Sequence, residues 1–217
     1  MKLQSSRRAF LGTALLSGVF TGCLGRPALQ VRTFALAVPP PARRGGEAPP
    51  AGVLWVRPVR VAAAFDSRAF VVRRAESEYV ADPYNGFLVS PGPMLTELVA
   101  GWIQGLEVFR TVVTGGSQVS PSHALEVEVT ELVADYREPS APAAVLALTA
   151  RLLHPLAGPP SQQLRWQREL RKRVSIAKAA PTELVAGWNI ALSEILSALS
   201  TDLQQRPPPP PMDAPQA

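Results

Sequence analysis

The most regular hydrophobic patterning lies in the second half of the chain, where three extended segments follow one another. His123 to Tyr136 carries Leu125, Val127 and Val129 on alternate positions and then changes phase at Leu132. A phase change within an alternating strand predicts a β-bulge. Ala143 to Leu153 is a continuous apolar run, the pattern of a central strand covered on both faces. Leu164 to Val174 alternates again, with Leu164, Trp166, Leu170 and Val174 on one face. Shorter strands are predicted at Val53 to Val59, with Pro58 near its end, and at Val108 to Val113, closed by Gly115-Gly116. Ala69 to Arg74 and Ser77 to Ala81 form a predicted hairpin around Ala75-Glu76, and Val31 to Val38 is apolar enough to add an edge strand.

Two segments switch to helical spacing. Met94, Leu95, Leu98, Val99, Trp102 and Leu106 fall three or four apart. After Pro181, suited to a first helical turn, Leu184, Val185, Trp188, Leu192, Ile195, Leu196 and Leu199 make a second stripe. Both helices contain the heptapeptide Thr-Glu-Leu-Val-Ala-Gly-Trp, at 96–102 and at 182–188. Glycine costs ~1 kcal/mol in a helix relative to Ala, so the pairing of Gly101 and Gly187 with a Trp predicts two equivalent sites of close approach to the sheet. The expected architecture is α/β (α+β): a mixed, mostly antiparallel sheet of about six strands with two amphipathic helices on one face.

Composition adds the boundaries. Of 23 prolines, six lie between Pro27 and Pro50 and six between Pro207 and Pro215, so half sit in two short segments. The chain divides into an export signal (1–22), a Pro- and Gly-rich tether (23–50), one α/β domain (51–205) and a Pro-rich tail (206–217), the last expected as polyproline II or disordered. The formal charge of +5 is misleading, because Lys2, Arg7 and Arg8 lie in the first ten residues. Without them 19 basic residues face 17 acidic ones, too even a balance for a nucleic-acid partner.

The amino-terminal segment has a basic start and an apolar stretch from about Ala9 to Phe20, shorter than the ~20 residues a membrane-spanning helix needs. Phe20-Thr21-Gly22-Cys23 resembles a bacterial lipobox. That resemblance implies a thioether-linked diacylglycerol on Cys23, cleavage before it and acylation of the new amino terminus. Arg7, Arg8, Phe10 and Leu11 resemble a twin-arginine export signal. Leu24, in place of an inner-membrane-retaining Asp, favours the outer membrane and its periplasmic face.

Candidate chemistry is thin. With one Cys and two His there is no intrachain disulfide and no thiolate-rich metal site. His123 and His154 flank strands and are expected at the surface. Glu126, Glu128 and Glu131 share a strand, and alternation puts the first two on its polar face, solvated rather than catalytic. No phosphate loop or nucleophile elbow is present, and the only covalent group expected is the lipid. The densest charge is Arg165, Arg168, Arg171, Lys172 and Arg173, read either as a partner contact or as protection of an exposed strand against edge pairing. Charge reversal at Arg171 and Arg173 is expected to weaken association and leave stability nearly unchanged.

The order of lipobox, tether, strand, Arg-rich hairpin, helix, three long strands and carboxy-terminal helix resembles the ABC-type transport auxiliary lipoproteins, partners of mammalian-cell-entry (MCE) lipid transporters. The residues that carry it are Val53 to Val59 (VLWVRPV), Phe65 to Arg74 (FDSRAFVVRR) and His123 to Val129 (HALEVEV). The resemblance implies no catalytic centre and work done by docking, to an MCE-domain protein and ABC transporter components, with a homo-oligomer as one arrangement. An outer-membrane lipoprotein that regulates a cell-wall synthesis enzyme by docking is the alternative these features leave open.

Overall fold

In the computed structural model, residues 31–41, 51–116, 119–155, 158 and 163–205 are described. Among them the elements run β1 (Arg32–Phe34), β2 (Ala51–Val56), β3 (Arg60–Val61), β4 (Ala69–Arg73), β5 (Tyr79–Phe87), α1 (Pro91–Gly105), β6 (Phe109–Val113), β7 (His123–Asp135), β8 (Ala143–Leu153), β9 (Leu164–Ser175) and α2 (Pro181–Gln205).

The longest strand organises the sheet. Along one edge β7 pairs antiparallel with β8 over its whole length, and β8 pairs antiparallel with β9. Along the other edge three short strands lie end to end, all parallel to it. These are β2 against His123–Leu125, β3 against Glu128–Val129 and β4 against Ala134–Asp135. Pro58 explains the first break, since it has no N–H to continue the ladder. The Arg57 N–H still reaches the Leu125 carbonyl, whereas the Val59 N–H donates to Thr96 Oγ1 of α1 at 2.9 Å. Outside these segments β6 pairs with β2, β5 with β4, and β1 with β5. The two long ladders make the mixed sheet mostly antiparallel, as the patterning predicts. Among the described residues its nine strands exceed the expected six or so; β1 is the edge strand expected within Val31 to Val38, and β3, with two residues, is too short for alternation to register.

Both helices cover the same sheet face, and a hydrogen bond from Trp102 Nε1–H to Ser200 Oγ (2.8 Å) links them. By length and composition α2 could cross a membrane, but its apolar stripe is spent on the core: Leu184, Trp188, Ala191, Leu192, Ile195, Leu196, Leu199 and Leu203 are all buried. The two heptapeptide copies are not equivalent. A Cβ on Gly187 would stand 2.7 Å from Ala144 Cβ and 2.9 Å from Ile176 Cγ2, so α2 touches the sheet there. Gly101 is exposed, with nothing within 4 Å of such an atom. Trp188 donates to the Val145 carbonyl at 3.1 Å and packs edge-on against Phe70, whereas Trp102 faces α2. Identical local sequence meets two different neighbours.

The fold also takes in residues 31–41, which composition assigns to the tether and whose apolar run supplies the expected edge strand. Phe34 packs against Phe70 with centroids 5.6 Å apart, Leu36 is buried, and the Ala37 N–H donates to Asn189 Oδ1 of α2 at 3.0 Å. His123 is not at the surface. It is 1% exposed, between Phe109 and His154, and shares a hydrogen bond with Ser122 Oγ through Nδ1. Burial first, then positive charge from His154 and Arg165, lowers its pKa to about 4.

Candidate docking surface on the open sheet face

Side chains alternate across a strand, so covering one face of β7, β8 and β9 with helices turns every second residue the other way. On β7, Leu125, Val127, Val129, Leu132 and Ala134 enter the core. Glu126, Glu128, Glu131 and Asp135 point to the opposite, open face. The predicted bulge is present, as a register shift between Val129 and Glu131. Its extra residue, Thr130, returns Glu131 to the side of Glu126 and Glu128, so all three candidate carboxylates share one face. On β8 the same side carries Ala143, Val145, Ala147, Thr149 and Arg151, a mostly small stripe whose first four residues are buried.

Small residues on the middle strand let long side chains reach across it. Arg171 of β9 passes over Ala147 to Glu131 of β7, Nε to Oε2 at 2.7 Å. Arg151 reaches Glu128 at 3.4 Å on one side and Gln167 at 2.8 Å on the other. Arg57 pairs with Glu126 and lies 5.0 Å from the centroid of the Trp55 ring. A shallow depression of about 480 Å³ opens beside the bulge, lined by Thr130, Glu131, Ala147, Thr149, Glu169 and Arg171.

Asp135 closes this lattice. It is 4% exposed and accepts a bidentate pair from Arg137, Nε and Nη2 each at 2.9 Å, with Arg173 Nε at 3.5 Å. The hydrogen bond from Arg137 is the main reason its pKa falls to about 2. Arg137 continues to Glu76 at 2.6 Å, and Glu76 to Arg73 at 2.7 Å. A chain of charge thereby links the β4–β5 hairpin to β9. Such a set of carboxylates, each held by a guanidinium, suits recognition rather than proton transfer.

The five cations of β9 do not form one patch, because alternation divides them. Arg168 and Lys172 turn toward α2 and pair with Asp202 and Glu194. Arg165 lies at 3.3 Å from His154 Nδ1, and Arg171 and Arg173 join the open face. Reversing Arg173 would set a carboxylate against buried Asp135, and reversing Arg171 would set one against part-buried Glu131, so both reversals cost stability, the larger cost falling at Arg173. Patterning missed Asp135, Arg137 and Arg151 as members of the surface; the only available signal was the acidic residue closing a strand two positions before an Arg. Arg7, Arg8, Phe10, Leu11, Cys23 and Leu24 lie outside the described residues.

A comparison with curated proteins finds no match. Among solved structures, the chain is similar to a Xanthomonas campestris protein, with a TM-score of 0.68 and 21% identity over 81% of this chain and 98% of that one. It is also similar to an uncharacterized protein, with a TM-score of 0.62 and 16% identity over 80% of this chain and 99% of that one. At these identities the likeness speaks for the fold. The family model of the ABC-type transport auxiliary lipoprotein component matches residues 34–203, and the chain belongs to that family.

Proposed function

We propose that this chain is a non-catalytic adaptor, held by lipid on Cys23 at the periplasmic face of a membrane, the outer one by preference, that docks on the MCE-domain component of an ABC-type lipid transporter. Membership of an auxiliary lipoprotein family supports the general role. The observation that carries the docking step is the open face of β7, β8 and β9. Both helices are spent on the opposite face, and what remains is a stiff three-strand platform of ion pairs over a small-residue stripe. Such a surface pairs charge with charge and favours specificity over bulk hydrophobic affinity. The depression beside Thr130 gives a protruding partner side chain a seat.

Two experiments test this reading. Cys23→Ala is expected to abolish fatty-acid incorporation and release the protein from the membrane; normal processing and attachment in the variant would refute the anchor. For docking, Glu169→Lys inverts an exposed charge beside the depression and leaves the Arg171–Glu131 pair, Asp135 and Arg173 untouched. Crosslinking in cells is expected to recover an MCE-domain protein with the parent and much less with the variant, at equal thermal stability. Equal recovery from both would remove the open face as the docking surface.

A further inference from the structure

Of the large apolar side chains exposed among the described residues, four sit on one edge of the sheet: Val31 (55%), Tyr84 (54%), Leu88 (56%) and Val89 (46%). The pairing of β1 with β5 brings them together. Arg32 is in register with Asn85, which places Val31 beside Tyr84, and the Leu88 N–H donates to the Phe34 carbonyl at 2.7 Å. Tyr84 is held out deliberately. Between the pairs Ala69↔Gly86 and Val71↔Ala81 a single residue of β4 faces the four residues 82–85 of β5. That protrusion is pinned by Asp82, whose Oδ1 accepts the N–H groups of Tyr84 (2.8 Å) and Asn85 (3.1 Å). The chain therefore spends a carboxylate on fixing an aromatic ring in solvent.

Two exposed cations border the same edge. The Arg32 guanidinium lies 5.2 Å from the centroid of the Phe34 ring, and Arg68 Nε donates to the Phe87 carbonyl at 3.2 Å. A tyrosine with aliphatic neighbours and flanking arginines is the composition of a surface that rests in the headgroup layer of a bilayer. Chain length selects this occupant. Val31, the first described residue of this edge, follows Cys23 by only eight positions. Eight residues span at most about 28 Å when fully extended. A lipid on Cys23 is thus tied directly to this edge, whereas the β9 edge, five strand spacings or about 24 Å across the sheet, would need the tether stretched almost fully.

We infer that the β1–β5 edge is a membrane-contact surface, with Tyr84 and Leu88 entering the apolar boundary and Arg32 and Arg68 at lipid phosphates. The inference rests on the anchor at Cys23 proposed above and adds a second attachment that fixes the orientation of the domain. An orientation set in this way turns the rest of the sheet to a defined angle for docking.

The anchor supplies its own test. An acylated Cys23 takes no thiol label, and it is the only Cys in the chain, so Tyr84→Cys, Leu88→Cys and Leu164→Cys each introduce a single free thiol. The full-length variants, purified from membranes, are labelled with an environment-sensitive fluorophore. They are then reconstituted in vesicles of phosphatidylethanolamine and phosphatidylglycerol carrying doxyl-lipid quencher. Labels at 84 and 88 are expected to be quenched about threefold more than the label at 164, on the opposite edge of the sheet. Equal quenching at all three, with the parent unlabelled, overturns the surface and leaves the anchor intact. Labelling of the parent overturns the anchor and the surface with it. Self-quenching at 84 and 88 without lipid quencher assigns the edge to a second copy of the chain and overturns the membrane contact.

Discussion

The duplicated heptapeptide offers the sharpest test of the packing argument, because one substitution in the same seven-residue string should have opposite effects at its two sites. Replacing Gly by Ala inside a helix gains roughly 0.5–1 kcal/mol from backbone entropy. At Gly101 nothing opposes that gain, since no atom beyond its chain neighbours and its own helix backbone lies within 4 Å of the new Cβ. Gly101→Ala is expected to stabilise the protein by about that amount, or roughly 1–4 °C in Tm for a domain of this size. At Gly187 the same methyl would sit 2.7 Å from Ala144 Cβ and 2.9 Å from Ile176 Cγ2. Neither is the far end of a flexible side chain: one sits on a central strand and the other is a branch methyl next to its backbone. Overpacking of this kind costs about 1–3 kcal/mol, so Gly187→Ala should destabilise by about 1–2 kcal/mol net. Urea and thermal unfolding of the two variants would give the comparison directly. Adding Ala144→Gly to Gly187→Ala should restore part of the loss, which a propensity effect alone would not do. If both single variants are stabilised, the close approach of α2 to β8 is wrong.

Two further predictions concern charge. Asp135→Asn is expected to lose about 2 kcal/mol near neutral pH. The folded-state pKa of Asp135 is depressed from 3.8 to about 2, so its contribution is full above about pH 4 and disappears as the pH falls toward 2. Wild type and variant should converge over that window in acid unfolding, and a constant gap would exclude the ion-pair account. His123 acts in the same direction over a higher pH window. Because its folded pKa is lowered from 6.5 to about 4, the unfolded chain takes up the proton first, and stability falls as the pH drops from about 6.5 to about 4. Urea unfolding at pH 7 and pH 4.5 is expected to differ by about 2–3 kcal/mol on this account, with a much smaller difference in His123→Gln; an equal difference in the variant would place the acid sensitivity elsewhere.

The amino-acid pattern by itself determined the elements. Alternation located β7, β8 and β9 nearly to the residue and marked the bulge, because a strand with one buried face must keep its period or insert a residue to change it. Helical spacing located α1 and α2 for the same reason. What pattern did not determine was which partner each face would meet. The two heptapeptides are identical, yet one Gly meets Ala144 and the other meets solvent, since contact depends on where the helix lies and not on its own sequence. His123 reads as a polar residue at a strand edge and becomes buried only when Phe109 and His154 close over it. The basic run reads as one patch along the chain, and a two-residue period splits it between α2 and the open face. Residues 31–41 lie in Pro-rich sequence that reads as tether, with the apolar run Val31 to Val38 the one sign of an edge strand, and they join the fold through Phe70 and Asn189, far away in sequence. Long-range pairing alone decided that Val31, Tyr84, Leu88 and Val89 meet on one edge of the sheet.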